Sequence, residues 1–290
     1  MRCWIPGSAM REQLAEVWRV FRRQRAAAGG FLALAVIVMA SPSIVVLSRI
    51  DPEAISADVL GRPSLAHAMG TDYLGRDILG RVLHGVNTSL LVGASVAAIA
   101  LCIGLVLGTT AGFYRGSIDH VIMRAADGLL IVPTFFLVLA VAFIFGGRLT
   151  FVIVMLGLTT WPQIARIVRA EVLALKEEAF VQSARALGAG DLHLMFREIL
   201  PNTLPPVVAM IALLGSSAIL AEASLSFLGV GDPNVVSLGQ MLTSGLEYVT
   251  NAWWVPGFPG AAIFVLVLLL NVLGDGLNVA LNPRLRRGGV

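Results

Sequence analysis

The residues able to do chemistry in this chain are few, and their types exclude more than they offer. A phosphate-binding loop that hydrolyses ATP needs a glycine-rich turn ending in Gly-Lys-Ser or Gly-Lys-Thr. The single lysine, Lys176, stands between Leu175 and Glu177. ATP-driven work must therefore come from another polypeptide. His67, His84, His120 and His193 are scattered without metal-ligand spacing, so no metal is implied. Cys3 and Cys102 are far apart in sequence and give neither a disulfide framework nor a metal site.

The ionisable residues within apolar stretches carry more information, because a charge at the centre of a bilayer costs roughly 2.5–3.5 kcal/mol or more. Glu222 is the sharpest case, set among Ala, Ser and Leu. It must face a helix bundle or a wet cavity. A cavity-lining or gating role and a structural hydrogen bond are both open, with the hydrogen bond favoured. Asp127 lies one turn from Arg124, where an i,i+3 pair is sterically natural. Asn271 and Asp275 are one turn apart and are expected to share a polar seam through packing.

A polar island runs from Phe180 to Asp191 and on through Glu198-Ile199-Leu200-Pro201-Asn202. Glu177 to Leu187 is helix-favourable and Gly188-Ala189-Gly190 permits a sharp turn. Asp191 can cap Leu192 to Ile199, and Pro201 is expected to stop the second helix. Two short helices joined by a glycine turn would project a compact knob suited to a groove on a partner. An ordinary connecting loop accounts for the residues equally well.

The surrounding elements are hydrophobic: 57% of 290 residues are apolar, 13% are charged, and mean hydropathy is +0.84. A hydrocarbon core of about 30 Å is crossed by about 20 apolar helical residues. Six such runs are read: 30–47, 89–113, 121–145 with Pro133 as a tolerated kink, 149 to about 166, 204–228 and 260–281. Lys and Arg accumulate in cytoplasmic loops. With both termini inside, about 16 of the 21 basic residues fall on that side. The others are Arg49, Arg62, Arg76, Arg81 and Arg148. The net charge of +3 and pI near 9.3 are thus explained without nucleic acid. Gly104, Gly108 and Gly112 repeat every four residues, a pattern for close helix approach.

The N-terminal stretch has no cleavable signal pattern, so the first span is expected to stay. Leu14, Val17, Trp18 and Phe21 recur at helical spacing beside Arg19, Arg22, Arg23 and Arg25. Residues 1–29 read as a cytoplasmic amphipathic segment on the inner leaflet, with a disordered basic tail as the alternative. Residues 30–290 form the membrane domain. External loops are placed at 48–87 and 229–257, the second with Trp253 and Trp254 suited to the membrane interface.

The stretch Gln182-Ser183-Ala184-Arg185-Ala186-Leu187-Gly188 followed by Ile199-Leu200-Pro201-Asn202 resembles the EAA loop of ATP-binding-cassette importer permeases. Met69 to Asp77, Met123 to Asp127 with Pro133, Ala221 to Gly229, and Asn271 to Leu277 narrow the resemblance to the C-type permease of the dipeptide, oligopeptide and nickel branch. Five motifs in order cover nearly the whole chain.

The resemblance implies an all-α integral membrane protein of the type I ABC importer permease fold, in the bacterial inner membrane with both termini cytoplasmic. It implies a cytoplasmic coupling loop at 171–201, in which Gln182, Ser183, Ala184, Arg185, Leu187, Gly188, Ala189, Gly190 and Asp191 meet the ATPase. It also implies a B-type permease partner, two ABC ATPase subunits that bind ATP and Mg, and an extracytoplasmic substrate-binding protein. The chain itself is expected to be non-catalytic and to hold no cofactor.

The chain departs from the family pattern at several positions. Gln182-Ser183-Ala184 stands where Glu-Ala-Ala is expected, with Glu178 one turn earlier, and Asn87, Asn278 and Asn282 replace frequent charged residues. Short peptides are the expected cargo. The alternatives are nickel, glutathione or another small solute on the same architecture, an ion-coupled secondary transporter using Glu222 and Asp127, or a membrane scaffold.

Overall fold

A computed structural model describes residues 18–48 and 51–281. Among these residues the named elements are all helical. Its elements are α1 (Arg25–Ser48), α2 (Ile78–Tyr114), α3 (Gly116–Ile131), α4 (Thr134–Phe145), α5 (Leu149–Leu175), α6 (Ala179–Ala186), α7 (Asp191–His193), a π-helical turn (Leu194–Ile199), α8 (Leu200–Phe227), α9 (Leu238–Leu246) and α10 (Trp254–Leu281). Five helical stretches among the described residues are long and apolar enough to cross a membrane, and there are six if the bent α3–α4 pair is one span.

The α3–α4 pair is broken, not merely kinked. α3 and α4 meet at 77°. Val132 and Pro133 are both extended, with ψ of 123° and 111°. Proline drives the residue before it out of the helical region and has no N–H to continue the ladder. The Pro133 carbonyl then accepts from Leu137 N at 3.2 Å and starts α4.

α2 is the central post. At 1.5 Å per residue its 37 residues span about 55 Å, well beyond a hydrocarbon core of about 30 Å. It therefore starts eleven residues earlier than the apolar run at Ser89. Its first turn is capped by Asp77, whose Oδ1 accepts from Gly80 N at 2.8 Å. At this end Ile78, Val82 and Val86 pack with Leu238, Met241 and Trp254. At the other end Phe113 packs with Val168, Val172, Val181, Leu194 and Ile199.

The glycine repeat of α2 lies against α5. A Cβ added at Gly104 would sit 2.6 Å from Ile164 Cβ, one at Gly108 2.6 Å from the Ala165 carbonyl, and one at Gly112 2.8 Å from Val172 Cβ. The two backbones approach so closely that only glycine fits. Elsewhere large apolar side chains such as Met39, Phe136 and Phe143 face outward, as lipid contact requires.

Two expectations at the chain's margins change. Leu14 and Val17 lie outside the described residues. Residues 18–23 are helical, but Phe21 is buried beside Ala27 and Ala280 instead of facing lipid. Trp254 is likewise a core residue, packed beneath Gly70, while Trp253 alone of the pair is exposed.

Candidate coupling site and buried polar residues

The polar island folds as a knob at the end of the bundle where α2 finishes. α6 closes at Leu187, and Gly188 adopts φ +87°. Gly188 N donates to Arg185 O at 3.0 Å and Ala189 N to Ala184 O at 3.1 Å. This pair of bonds is a Schellman closure, whose left-handed residue is normally glycine. Gly190 then caps α7. Asp191 is the first helical residue and makes no capping bond; its carboxylate sits favourably in the first turn.

Pro201 does not stop the helix as expected. The preceding turn is π-helical, with Leu200 N bonded to Met195 O. Pro201 falls at the register change, in the opening turn of α8, where a missing N–H is tolerated.

Val181, Leu194, Met195 and Ile199 are buried and hold the knob on α2 and α5. Ala184 and Ala189 pack against the same cluster, leaving Gln182, Ser183, Arg185, Gly188, Gly190 and Asp191 around the rim. Leu187 stands 89% exposed, Leu192 68%, and Phe196 half exposed. Leu192 and Phe196 were not singled out from the sequence. Their spacing of four residues in a polar stretch was the available signal. The knob thus has an apolar tip, a polar rim and a fixed base.

Ion pairs brace this end. Arg169 holds Asp119 through Nε at 2.5 Å and Nη2 at 2.6 Å, linking α5 to α3. Arg115 reaches Glu177 at 2.9 Å, and Lys176 Nζ donates to the Phe113 carbonyl while lying over its ring. Burial pushes the Lys176 ammonium below its usual range. Asp127 pairs with Arg166 of α5 at 2.5 Å, not with Arg124 as the i,i+3 spacing predicts. A cross-helix guanidinium reaches it instead.

Glu222 is buried in α8. Its Oε1 accepts from Ser226 Oγ at 2.7 Å and from Ser237 Oγ at 2.8 Å. Ser237 also caps α9 by accepting from Gly239 N at 3.1 Å. Glu222 therefore ties a membrane helix to the start of α9. Glu222→Gln keeps the accepting oxygen, so uptake is expected within about twofold of wild type. Glu222→Ala leaves two buried hydroxyls without an acceptor, costing roughly 1–3 kcal/mol, read as a lower unfolding temperature in detergent. A pH-dependent loss of uptake in Glu222→Gln would instead make the charge essential.

Asn271 and Asp275 are not brought together. Asn271 Oδ1 accepts from Ser216 Oγ at 3.4 Å and its Nδ2 donates to Val267 O at 2.8 Å. Asp275, one turn further along α10, is exposed. The polar seam runs between α8 and α10, across the bundle.

At the far end of α2, residues 69–77 form a compact loop. Asp72, 4% exposed, accepts from Leu74 N at 2.8 Å, Arg76 N at 2.9 Å and Arg76 Nε at 2.8 Å. Gly70 and Gly75 have positive φ, and a Cβ on either would meet a backbone carbonyl within 2.5 Å. The stretch is stapled to 51–61, with Thr71 Oγ1 accepting from Gly61 N at 2.8 Å.

Comparison with known proteins places this helical bundle in a family. Residues 104–287 match the family described as binding-protein-dependent transport system inner membrane component. The di/tripeptide transport system permease protein DppC of Pseudomonas aeruginosa is 37% identical over 281 residues, covering 94% of this chain and 93% of that protein. The glutathione transport system permease protein GsiD of Pectobacterium atrosepticum is 38% identical over 285 residues, covering 97% and 95%. An inward-facing structure of the MetNI methionine ABC transporter aligns with a TM-score of 0.58 at 21% identity, covering 71% of this chain and 98% of that one.

The chain belongs to the family of binding-protein-dependent transport system inner membrane components. It is a non-catalytic permease of an ABC importer in the inner membrane, a component that works with ATPase and binding-protein partners.

Proposed function

We propose that this chain is one half of a heterodimeric permease for short peptides, completed by a B-type partner and served by two ATPase subunits. The knob between α5 and α8 is the seat of one ATPase. Closure of the ATPases on ATP pushes the rim around Gly188, and the buried base at Val181, Leu194 and Ile199 passes that displacement to α2 and α5. Two packed arrangements of the bundle, separated by a few kcal/mol, then alternate access between the two faces. Residues 1–29 and 171–201 lie on the cytoplasmic side; 48–87 and 229–257 lie outside and receive the binding protein.

The observation that carries this reading is the exposed apolar tip on a rigidly packed base. The peptide assignment is supported by the di/tripeptide transport named for one relative, and the glutathione transport named for another is compatible with it. Deleting this chain in its native cell is expected to abolish uptake of a radiolabelled dipeptide, restored by the intact sequence. Unchanged dipeptide uptake together with lost uptake of nickel or of a sugar would reassign the cargo.

A further inference from the structure

A cleft of about 700 Å³ opens at the end of α2 opposite the knob, between the loop at 51–77, the first turns of α2 and residues 233–244. Its size falls within the roughly 300–1,000 Å³ of small-ligand sites. One wall carries Arg76 and Arg81, whose side chains are only 11% and 8% exposed. Both guanidiniums converge on Glu53: Arg76 Nη1 donates to Oε2 at 2.8 Å and Arg81 Nη1 to Oε1 at 2.6 Å. Two fixed guanidiniums aimed at one carboxylate make a carboxylate-binding site, since planar forked donors match that group.

The carboxylate filling the site is the part best able to leave. Glu53 is 57% exposed and stands on a short surface turn, where its N–H donates to Asp51 Oδ1 at 2.9 Å. The buried Asp72 stays behind to hold Arg76 at 2.8 Å. The cations are anchored and the anion is movable. Nearby, the Tyr73 ring is fixed by stacking on Tyr248 at 5.6 Å, and His84 Nε2 is buried without a hydrogen-bond partner.

We propose that this cleft binds the zwitterionic backbone of a short peptide, whose carboxylate displaces Glu53 from Arg76 and Arg81 and whose ammonium is then held by the released Glu53. The inference rests on the reading of this chain as a peptide permease. It adds a cargo site on the permease itself, at the face that receives the binding protein. Tyr73, its ring lying against Tyr248 and the Arg76 guanidinium, and His84 also line the cleft.

The test uses the assembled permease–ATPase complex in lipid nanodiscs without its binding protein, titrated with alanyl-phenylalanine, its C-terminal amide and its N-acetyl form. Wild type is expected to bind alanyl-phenylalanine saturably and the amide at least about tenfold more weakly, as loss of a charge-assisted bidentate contact dictates. Glu53→Gln removes the internal competitor and is expected to bind the N-acetyl peptide at least about threefold more tightly. Equal binding of peptide and amide, an N-acetyl affinity unaffected by Glu53→Gln, or no saturable binding would each overturn the proposal. Vesicle uptake by the complete assembly separates the two readings. Uptake of alanyl-phenylalanine without binding to the receptor-free complex removes the cleft site alone, whereas absence of peptide uptake removes the peptide assignment itself.

Discussion

Leu187→Asp is expected to abolish uptake while leaving the chain folded in the membrane. The side chain is 89% exposed at the tip of the knob and supports nothing within its own bundle. Burying a leucine in a partner's groove stabilises a complex by roughly 1.5–3 kcal/mol, and aspartate both forfeits that and places a charge in the groove. Docking should weaken by about tenfold to a hundredfold or more, at 1.4 kcal/mol per decade. The measurement is the amount of ATPase subunit retained on the purified permease, beside uptake in cells. Gly188 is a second probe of the same surface. A Cβ there meets nothing within 4 Å, so Gly188→Val carries only the backbone strain of positive φ, about 1–2 kcal/mol. Wild-type uptake in that variant would argue against the coupling assignment, since a bulky residue at the rim must disturb a seated partner.

Gly108→Leu should act through the opposite route, destroying the bundle before any partner is involved. A Cβ at Gly108 falls 2.6 Å from the Ala165 carbonyl and 2.8 Å from Val168 Cβ, and the first of these is backbone. α2 and α5 would have to separate, and they share the most extensive helix contact among the described residues. Overpacking of this kind costs roughly 1–3 kcal/mol or more. Little folded chain should reach the membrane, and what does should unfold at a markedly lower temperature. Gly128→Ala is the control, because nothing lies within 4 Å of the added Cβ. Equal thermal stability of Gly108→Leu and wild type would mean that the α2–α5 seam is not the structural post described here.

The parts of the fold governed by local chemistry were legible in the sequence. Six apolar runs, the spacing of Gly104, Gly108 and Gly112, and the glycine turn at Gly188 depend on residues near one another in the chain, and the helices, the α2–α5 seam and the positive φ follow. Contacts set by tertiary register were not. Asp127 has Arg124 one turn away, but the helix of Arg166 passes closer to its carboxylate. Glu222 meets Ser237 only because residues 228–237 fold back from the end of α8.

Proline was ambiguous for a related reason: its effect depends on the helix register around it. At Pro133 two extended residues turn a tolerated kink into a 77° break, whereas at Pro201 a π-helical turn lets the helix continue. The ion-pair nest of Glu53, Asp72, Arg76 and Arg81 joins residues up to 28 positions apart. The sequence marks the Gly70 to Asp77 stretch as distinctive without showing that Glu53 returns to it.

In the proposed mechanism this chain converts the work of separate ATPase subunits into helix motion through the knob at 179–199. The most direct measurement is affinity purification of the chain from its native membrane in mild detergent, with mass spectrometry of what remains bound, performed on wild type and on Leu187→Asp. A second permease and ATPase chains are expected with the wild type, and the same second permease without the ATPases in the variant. A lone chain or a homo-oligomer that still transports without ATP would contradict it.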